Sequence, residues 1–212
     1  IDYTLRYEAV KPKKSLIDAI THAPKPRDKE HLKSFLGLIE LYAKFVQNFA
    51  EKTEVLCKIL KKAEKFVWQE EQNTTFELIK KNLSEANVLT PFDANCDTIL
   101  TVDASAVGLG VVLSRIQKGC EKIVAFASRT LTSTERHYSV IEHDALAAAW
   151  GLEYFRVYLW GRSVTAITDH KPLIKVLTPG GDQNVSARLA RLASCLQEYR
   201  YVLSYIPGWK IF

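Results

Sequence analysis

The chain has no methionine among its 212 residues, not even at position 1. A sequence without a start residue reads as an internal piece of a longer polyprotein. Its four cysteines, Cys57, Cys96, Cys120 and Cys195, stand far apart and form no CxxC pair. That spacing excludes a disulfide framework and a cysteine zinc site, and predicts reduced thiols in an intracellular setting. No apolar run approaches the length of a membrane span, and no signal-peptide pattern is present. Internal repeats and low-complexity tracts are absent as well.

What is present describes an ordinary globular chain, long enough for one large domain or two small ones. Apolar residues make up 47% and charged residues 25%, the balance of a soluble protein with a sizeable core. A formal charge of +5 suits a nucleic-acid partner without demanding one.

The first 27 residues are mixed and basic, with a short helix expected over Lys13 to Ile20 and stopped by Pro24 and Pro26. Asp28 is a good N-cap. Beyond it Leu32, Phe35, Leu36, Ile39, Tyr42, Val46 and Phe49 recur at helical spacing. A second helix is expected over Lys52 to Lys62, with lysines on its outer face, where plain solvation accounts for most of them. Phe66 to Pro91 reads as an apolar entry, a helix from about Asn73 to Leu83 and an extended exit. The candidate domain boundary is Pro91 to Asp97. From Asp97 the pattern is three strands, a long helix expected over Ser133 to Tyr158, a strand at Val164–Thr168, and a helix at His170–Leu177 closed by Pro179, Gly180 and Gly181. A helix at Ser186–Glu198 and a strand at Tyr201–Tyr205 follow. Adjacent strands followed by alternating helices and strands predict an α/β layer fold, a mixed sheet covered by helices.

The stretch ILTVDASAVGLGVVLS, residues 99–114, organises this second part. Ile99 to Val102 is apolar and β-branched, as a strand buried on both faces requires. It ends in Asp103, beside residues small enough to turn. In the next strand Gly108 and Gly110 share one face, which lets another element or a ligand come close. Asp103 is either a turn cap or part of a site for a metal or polar substrate.

Two further acids bear on that choice. Asp169 ends the strand Val164–Thr168, and ligands of α/β sheets gather at strand ends. If the two strands are neighbours, Asp103 and Asp169 lie side by side. The long helix has an apolar stripe of Tyr138, Ile141, Ala145, Ala148, Leu152 and Phe155. At about 100° per residue, Asp144 lies roughly 60° from its centre and Glu142 roughly 100° off on the other flank. Asp144 can therefore look toward the strand ends. Clustered carboxylates repel unless a cation neutralises them, and hard oxygen ligands suit Mg²⁺ or Mn²⁺. Two such ions suit phosphodiester hydrolysis. Each acid taken alone serves equally as a surface or capping residue. His170 reads as a helix-start residue, and His137 and His143 as solvated. Arg129, Arg136 and Lys171 are candidates for phosphate contacts.

At these residues the chain resembles the gypsy-type (Ty3-like) retroelement Pol polyproteins, at the end of the reverse transcriptase and its ribonuclease H domain. KEHLKSFLGLIELYAKFVQNFA is similar to the polymerase thumb, and FVWQEEQNTTFELIKKNLSEANVLTPFD to the connector. TVDASAVGLGVVLS, AFASRTLTSTERHYSVIEHDALAAAW, VTAITDHKPL and SARLARLASCLQEYRYVLSYIPG follow the nuclease motifs in order.

The resemblance implies a thumb-like helical segment at 1–65, a connector at 66–96 and a ribonuclease H-like domain at 97–212, with a mixed five-stranded sheet and flanking helices. It implies cleavage of the RNA strand of RNA–DNA hybrids with two Mg²⁺ or Mn²⁺ ions. Carried over, the ligands are Asp103, Asp144 and Asp169, with Ser105, Arg129, Arg136, His170 and Lys171 as candidate nucleic-acid contacts. The expected partners are a hybrid or other nucleic acid and the rest of the polyprotein, not a membrane. The expected location is cytoplasmic, in a retroelement particle, or nuclear. The family usually has Glu where Asp144 stands, a carboxylate withdrawn by roughly 1.5 Å, and positioning errors of about 1 Å can cost roughly a hundredfold in rate. The family's fourth acid follows the PG turn in an AD-x-LSR segment that these 212 residues do not include. No YxDD-type pair is present, so no DNA synthesis is expected of these residues. The alternative is a degenerate or domesticated copy that binds nucleic acid or protein without cutting. A transposase or integrase domain fits less well, because TDHKPL has no place in it.

Overall fold

Apolar spacing and capping residues divide the chain into elements at nearly the expected places. A computed structural model describes residues 3–6, 9–62, 64–85, 88–178 and 185–207. The expected stops at Pro179, Gly180, Gly181 and Gly208 lie outside the described residues. Two short strands missed by periodicity, β1 (Tyr3–Arg6) and β2 (Ala9–Pro12), pair antiparallel. The helices α1 (Lys14–Thr21), α2 (Lys29–Glu40), α3 (Phe49–Ile59) and α4 (Glu70–Ser84) follow. Asp28 caps α2 by accepting from His31 N at 2.8 Å. The helical spacing that runs on to Phe49 does not stay helical. The chain passes through a 3₁₀ turn at Ala43–Phe45 and a left-handed Asn48 (φ 50°) before α3 begins.

The second part comprises β3 (Thr98–Ala104), β4 (Gly108–Gln117), β5 (Cys120–Thr130), α5 (Val140–Tyr154), α6 (Arg156–Leu159), β6 (Ser163–Thr168), α7 (Lys171–Leu177), α8 (Ala187–Leu196) and β7 (Arg200–Tyr205). The strands form one mixed sheet in the order β5-β4-β3-β6-β7. Pairing is antiparallel on the β5-β4-β3 side and parallel on the β3-β6-β7 side. Lys118 and Gly119 (φ 52° and 75°) turn β4 into β5, as a two-residue hairpin with positive φ requires. The expected long helix is shorter and broken. A 3₁₀ turn spans Glu135–His137, and Ser139 and Glu142 form a capping box that starts α5 at Val140.

Each face of the sheet has its own core. On one face Leu100, Val102, Val111 and Leu113 meet Ala145, Ala148 and Leu152 of α5 and leucines of α7 and α8. On the other face Val112 and Phe126 join Phe35, Ile39, Tyr42, Phe45, Leu56 and Phe76. The N-terminal helices, α4 included, thus close the sheet's second face. Ala50 N donates to Ser128 Oγ at 2.8 Å, and Arg136 Nη2 lies 2.6 Å from Glu54 Oε1, so polar ties cross the same seam. No helix among the described residues is long and apolar enough to cross a membrane.

Candidate active site

β3 and β6 are neighbours and parallel, so their C-terminal ends lie together. Thr101 pairs with Ile167, and Asp103 and Asp169 each stand two residues further on. Both carboxylates therefore leave the same end of the sheet. α5 crosses the face beneath and carries Asp144 in its second turn, buried. Asp144 Oδ2 lies 2.5 Å from His170 Nδ1. The three acids that sequence spacing singled out are brought together.

Their electrostatics are linked. Burial raises the Asp103 carboxyl above its usual range, and the charge of Asp169 raises it further, while a side-chain hydrogen bond from Asn48 opposes the rise. Burial likewise raises Asp144. His170 opposes that rise, and Asp169 and Asp103 add to it. Asp169 thus acts on Asp103, and both act on Asp144, as neighbouring like charges do. A set of three carboxylate donors fits a hard divalent cation. As the side chains stand, Asp103 is held by Asn48 and Asp144 by His170. Among the described residues no group of three or more His, Cys, Asp or Glu stands where it could hold an ion.

The other candidates are placed differently. Ser105 Oγ staples the turn after β3, accepting from Gly108 N at 3.1 Å and Val107 N at 3.3 Å. Arg129 makes a bidentate pair with Glu135 at 2.8 and 2.9 Å and stacks over Trp150. Arg136 is paired with Glu54. Lys171 is exposed in the first turn of α7, two residues from Asp169. His137 is exposed, as expected. His143, expected in solvent, is buried, its Nε2 2.7 Å from Glu135 O, because the 3₁₀ turn folds back over the start of α5.

Two residues near the site were not foreseen. Glu142 is buried and accepts from Ser139 N, Ser186 Oγ and Arg188 Nη1 at 2.9 to 3.0 Å. Those donors, the Ser139 backbone foremost, hold it down at about 2. The spacing Ser139-x-x-Glu142 is a capping-box signal that could have located it. The other is Asn48, which reaches from the helical unit to Gly110 and Asp103. The bare glycine face of β4 announced a close neighbour but not its identity.

Comparisons with known proteins agree with the fold. Residues 93–199 match the family described as the RNase H-like domain found in reverse transcriptase. The chain is 35% identical to the retrovirus-related Pol polyprotein from transposon 297 of Drosophila melanogaster, over 95% of its own length and 18% of that protein's. It is 30% identical to that from transposon 412 of the same fly, over 95% and 16%. It is 29% identical to the Tf2-3 polyprotein of Schizosaccharomyces pombe, over 98% and 16%. The chain thus spans less than a quarter of the curated relatives it matches. Among solved structures it is similar in fold to the foamy viral protease-reverse transcriptase. In complex with dsDNA the TM-score is 0.77 at 24% identity, covering 96% of this chain and 46% of that one. In complex with RNA/DNA hybrid it is 0.75 at 22%, covering 96% and 30%.

Proposed function

Because the chain belongs to the family of RNase H-like domains found in reverse transcriptases, we propose that it is the ribonuclease H module of a retroelement reverse transcriptase, hydrolysing the RNA strand of RNA–DNA hybrids. One observation carries the reading. Asp103, Asp144 and Asp169 come from three different elements to one end of the sheet, where the charge of Asp169 bears on Asp103 and the charges of Asp169 and Asp103 bear on Asp144. A fold that tolerates such repulsion pays for it with a function.

Asp103, Asp144 and Asp169 would hold Mg²⁺ or Mn²⁺, two ions being the number that the family resemblance implies. When bound, such ions activate water and neutralise charge on a phosphodiester. The chain's own part is to hold the carboxylates on rigid elements: Asp103 and Asp169 at neighbouring strand ends, Asp144 on a helix locked by its capping box. His170, at the N-cap of α7, keeps the Asp144 carboxylate oriented. Exposed Lys171 is offered for a phosphate beside Asp169, and Ser105 shapes the turn that follows Asp103. Arg129 and Arg136 carry carboxylate partners and would meet a phosphate only by exchanging or sharing them. Residues 1–65 and 66–96 act in this reading as thumb and connector, and the remainder of a Pol polyprotein is the partner in cis. The 2′-hydroxyls and groove shape of the hybrid would select the substrate.

The test is cleavage of a strand-labelled RNA–DNA hybrid with Mg²⁺ and with Mn²⁺, beside Asp103→Asn. Cutting confined to the RNA strand and lost in the variant is the expected result. Hybrid binding without cutting under either ion would favour a binding module instead, the reading that the tie between Asp144 and His170 would then support.

A further inference from the structure

Asparagine is among the best helix N-caps, yet Asn48 at the N-cap of α3 makes no side-chain capping bond. Its backbone is left-handed, φ 50° and ψ 37°, a region that few L-residues other than Asn and Asp adopt. The α3 amide that needs a partner, Ala50 N, is served by Ser128 Oγ from β5 instead. The Asn48 side chain is thereby free for the sheet. It lies over Gly110, where a Cβ would overlap its Oδ1. Gly110 is the register partner of Asp103. Asn48, Glu51, Asp103, Ser105 and Gly110 line one small recess, and the Asn48 side chain hydrogen-bonds Asp103 there.

We propose that Asn48 is a positioning residue for Asp103, a role resting on the nuclease reading: the helical unit lends its amide through the gap left by Gly110 to fix the carboxylate's orientation. Three local features meet at that contact: an unused cap, a left-handed backbone and a glycine opposite. Partners that orient ligand side chains are typically worth about 10- to 100-fold in metal affinity or activity. Docking of the helical unit and orientation of Asp103 are then one event, because Ala50–Ser128 and Asn48–Asp103 form at the same helix end.

The experiment uses the full 212-residue chain. Mn²⁺ binding to metal-free protein is measured by calorimetry and hybrid cleavage by steady-state kinetics. Asn48→Gly removes the amide while suiting the left-handed backbone. Gly110→Ala leaves Asn48 in place but pushes its side chain out. Each is expected to weaken Mn²⁺ binding and to lower kcat by about tenfold, with the KM for hybrid little changed. The double variant should be no worse than either single, since both break one contact.

Unchanged Mn²⁺ affinity in Asn48→Gly overturns the proposal. So does a rise in KM alone, which would make Asn48 a mere part of the docking seam, and so does additivity. Should Gly110→Ala not fold, Asn48→Gly decides alone. If the wild-type chain binds Mn²⁺ but never cuts, the nuclease reading falls and the Mn²⁺ titration still judges Asn48. If it neither binds nor cuts, both fall.

Discussion

His170 Nδ1 lies 2.5 Å from Asp144 Oδ2, joining the turn that leads from β6 into α7 to the second turn of α5. Burial, the strongest influence on Asp144, raises its carboxyl, and His170 is what opposes the rise, with Asp169 and Asp103 pushing further up. His170→Ala therefore leaves only raising influences. The expected result is an upward move of the Asp144 titration, followed by carbon-detected NMR of the carboxyl groups in metal-free protein. The apparent values belong to the coupled cluster, so all three aspartates need to be followed together. A titration that stays put or moves down would show that the pair does not govern Asp144.

Acid should unfold the protein through two glutamates that are not members of that aspartate cluster, Glu142 and Glu135. The Ser139 backbone, then Ser186 and Arg188, hold Glu142 at about 2. Arg129, with Thr132, holds Glu135 at about 2. Both groups bind protons near 4.5 when unfolded. Folded values below unfolded ones mean stability that is fully present above about pH 4.5 and lost as pH falls toward 2. Unfolding free energy from urea titrations should fall across that window. Glu142→Gln should flatten the fall and cost about 1–3 kcal/mol near neutrality, the worth of hydrogen bonds to a charged group. A pH slope equal to that of the wild type would exclude Glu142 as its source.

Much of this could be read in the residues, and the misreadings have physical causes. Asp103, Asp144 and Asp169 were legible because strand ends and helix phase place side chains by local geometry alone. The β3–β6 adjacency that makes them a cluster stayed a condition, because pairing between strands distant in sequence leaves no local pattern. The helix expected to run to Phe49 failed because apolar spacing cannot register a single left-handed residue such as Asn48. The long helix over Ser133 to Tyr158 failed because the capping box at Ser139 outweighed a stripe that continued past it. His143 was misjudged because its partner, the Glu135 carbonyl, exists only once the 3₁₀ turn has folded. Burial of the sheet's second face by α2, α3 and α4 rests on contacts such as Phe126 with the N-terminal cluster. No local pattern encodes that.

Two helix glycines should respond to alanine with opposite signs. Gly151 of α5 is buried, and a Cβ there would stand 2.7 Å from Val111 Cγ1 and 3.4 Å from Leu100 Cδ2. Overpacking of this kind costs about 1–3 kcal/mol, more than the gain of up to about 1 kcal/mol in helix propensity. Gly37 of α2 is exposed, with nothing within 4 Å of the new Cβ. Gly37→Ala should stabilise by about 0.5–1 kcal/mol, and Gly151→Ala should destabilise. Denaturant midpoints of the two variants check this. A stabilising Gly151→Ala would mean that α5 can move off the sheet at little cost.

Burial first, and Asp169 second, raise the Asp103 carboxyl in the fold. A raised carboxyl is a charge that the folded state resists, so its contribution turns more unfavourable as pH rises through the folded value. Asp103→Asn removes that charge while keeping the shape beside Asn48. The variant should therefore be inactive yet more heat-stable than the wild type near neutral pH in metal-free buffer. A rise of about 2–4 °C would correspond to about 1 kcal/mol in a chain of this size. Adding Mn²⁺ should close the gap, because binding to the folded state stabilises the wild type in proportion to its affinity and the variant far less. Differential scanning calorimetry with and without Mn²⁺ makes both comparisons. A variant that melts below the wild type in metal-free buffer would show that Asp103 is a structural cap and not a charge held in readiness.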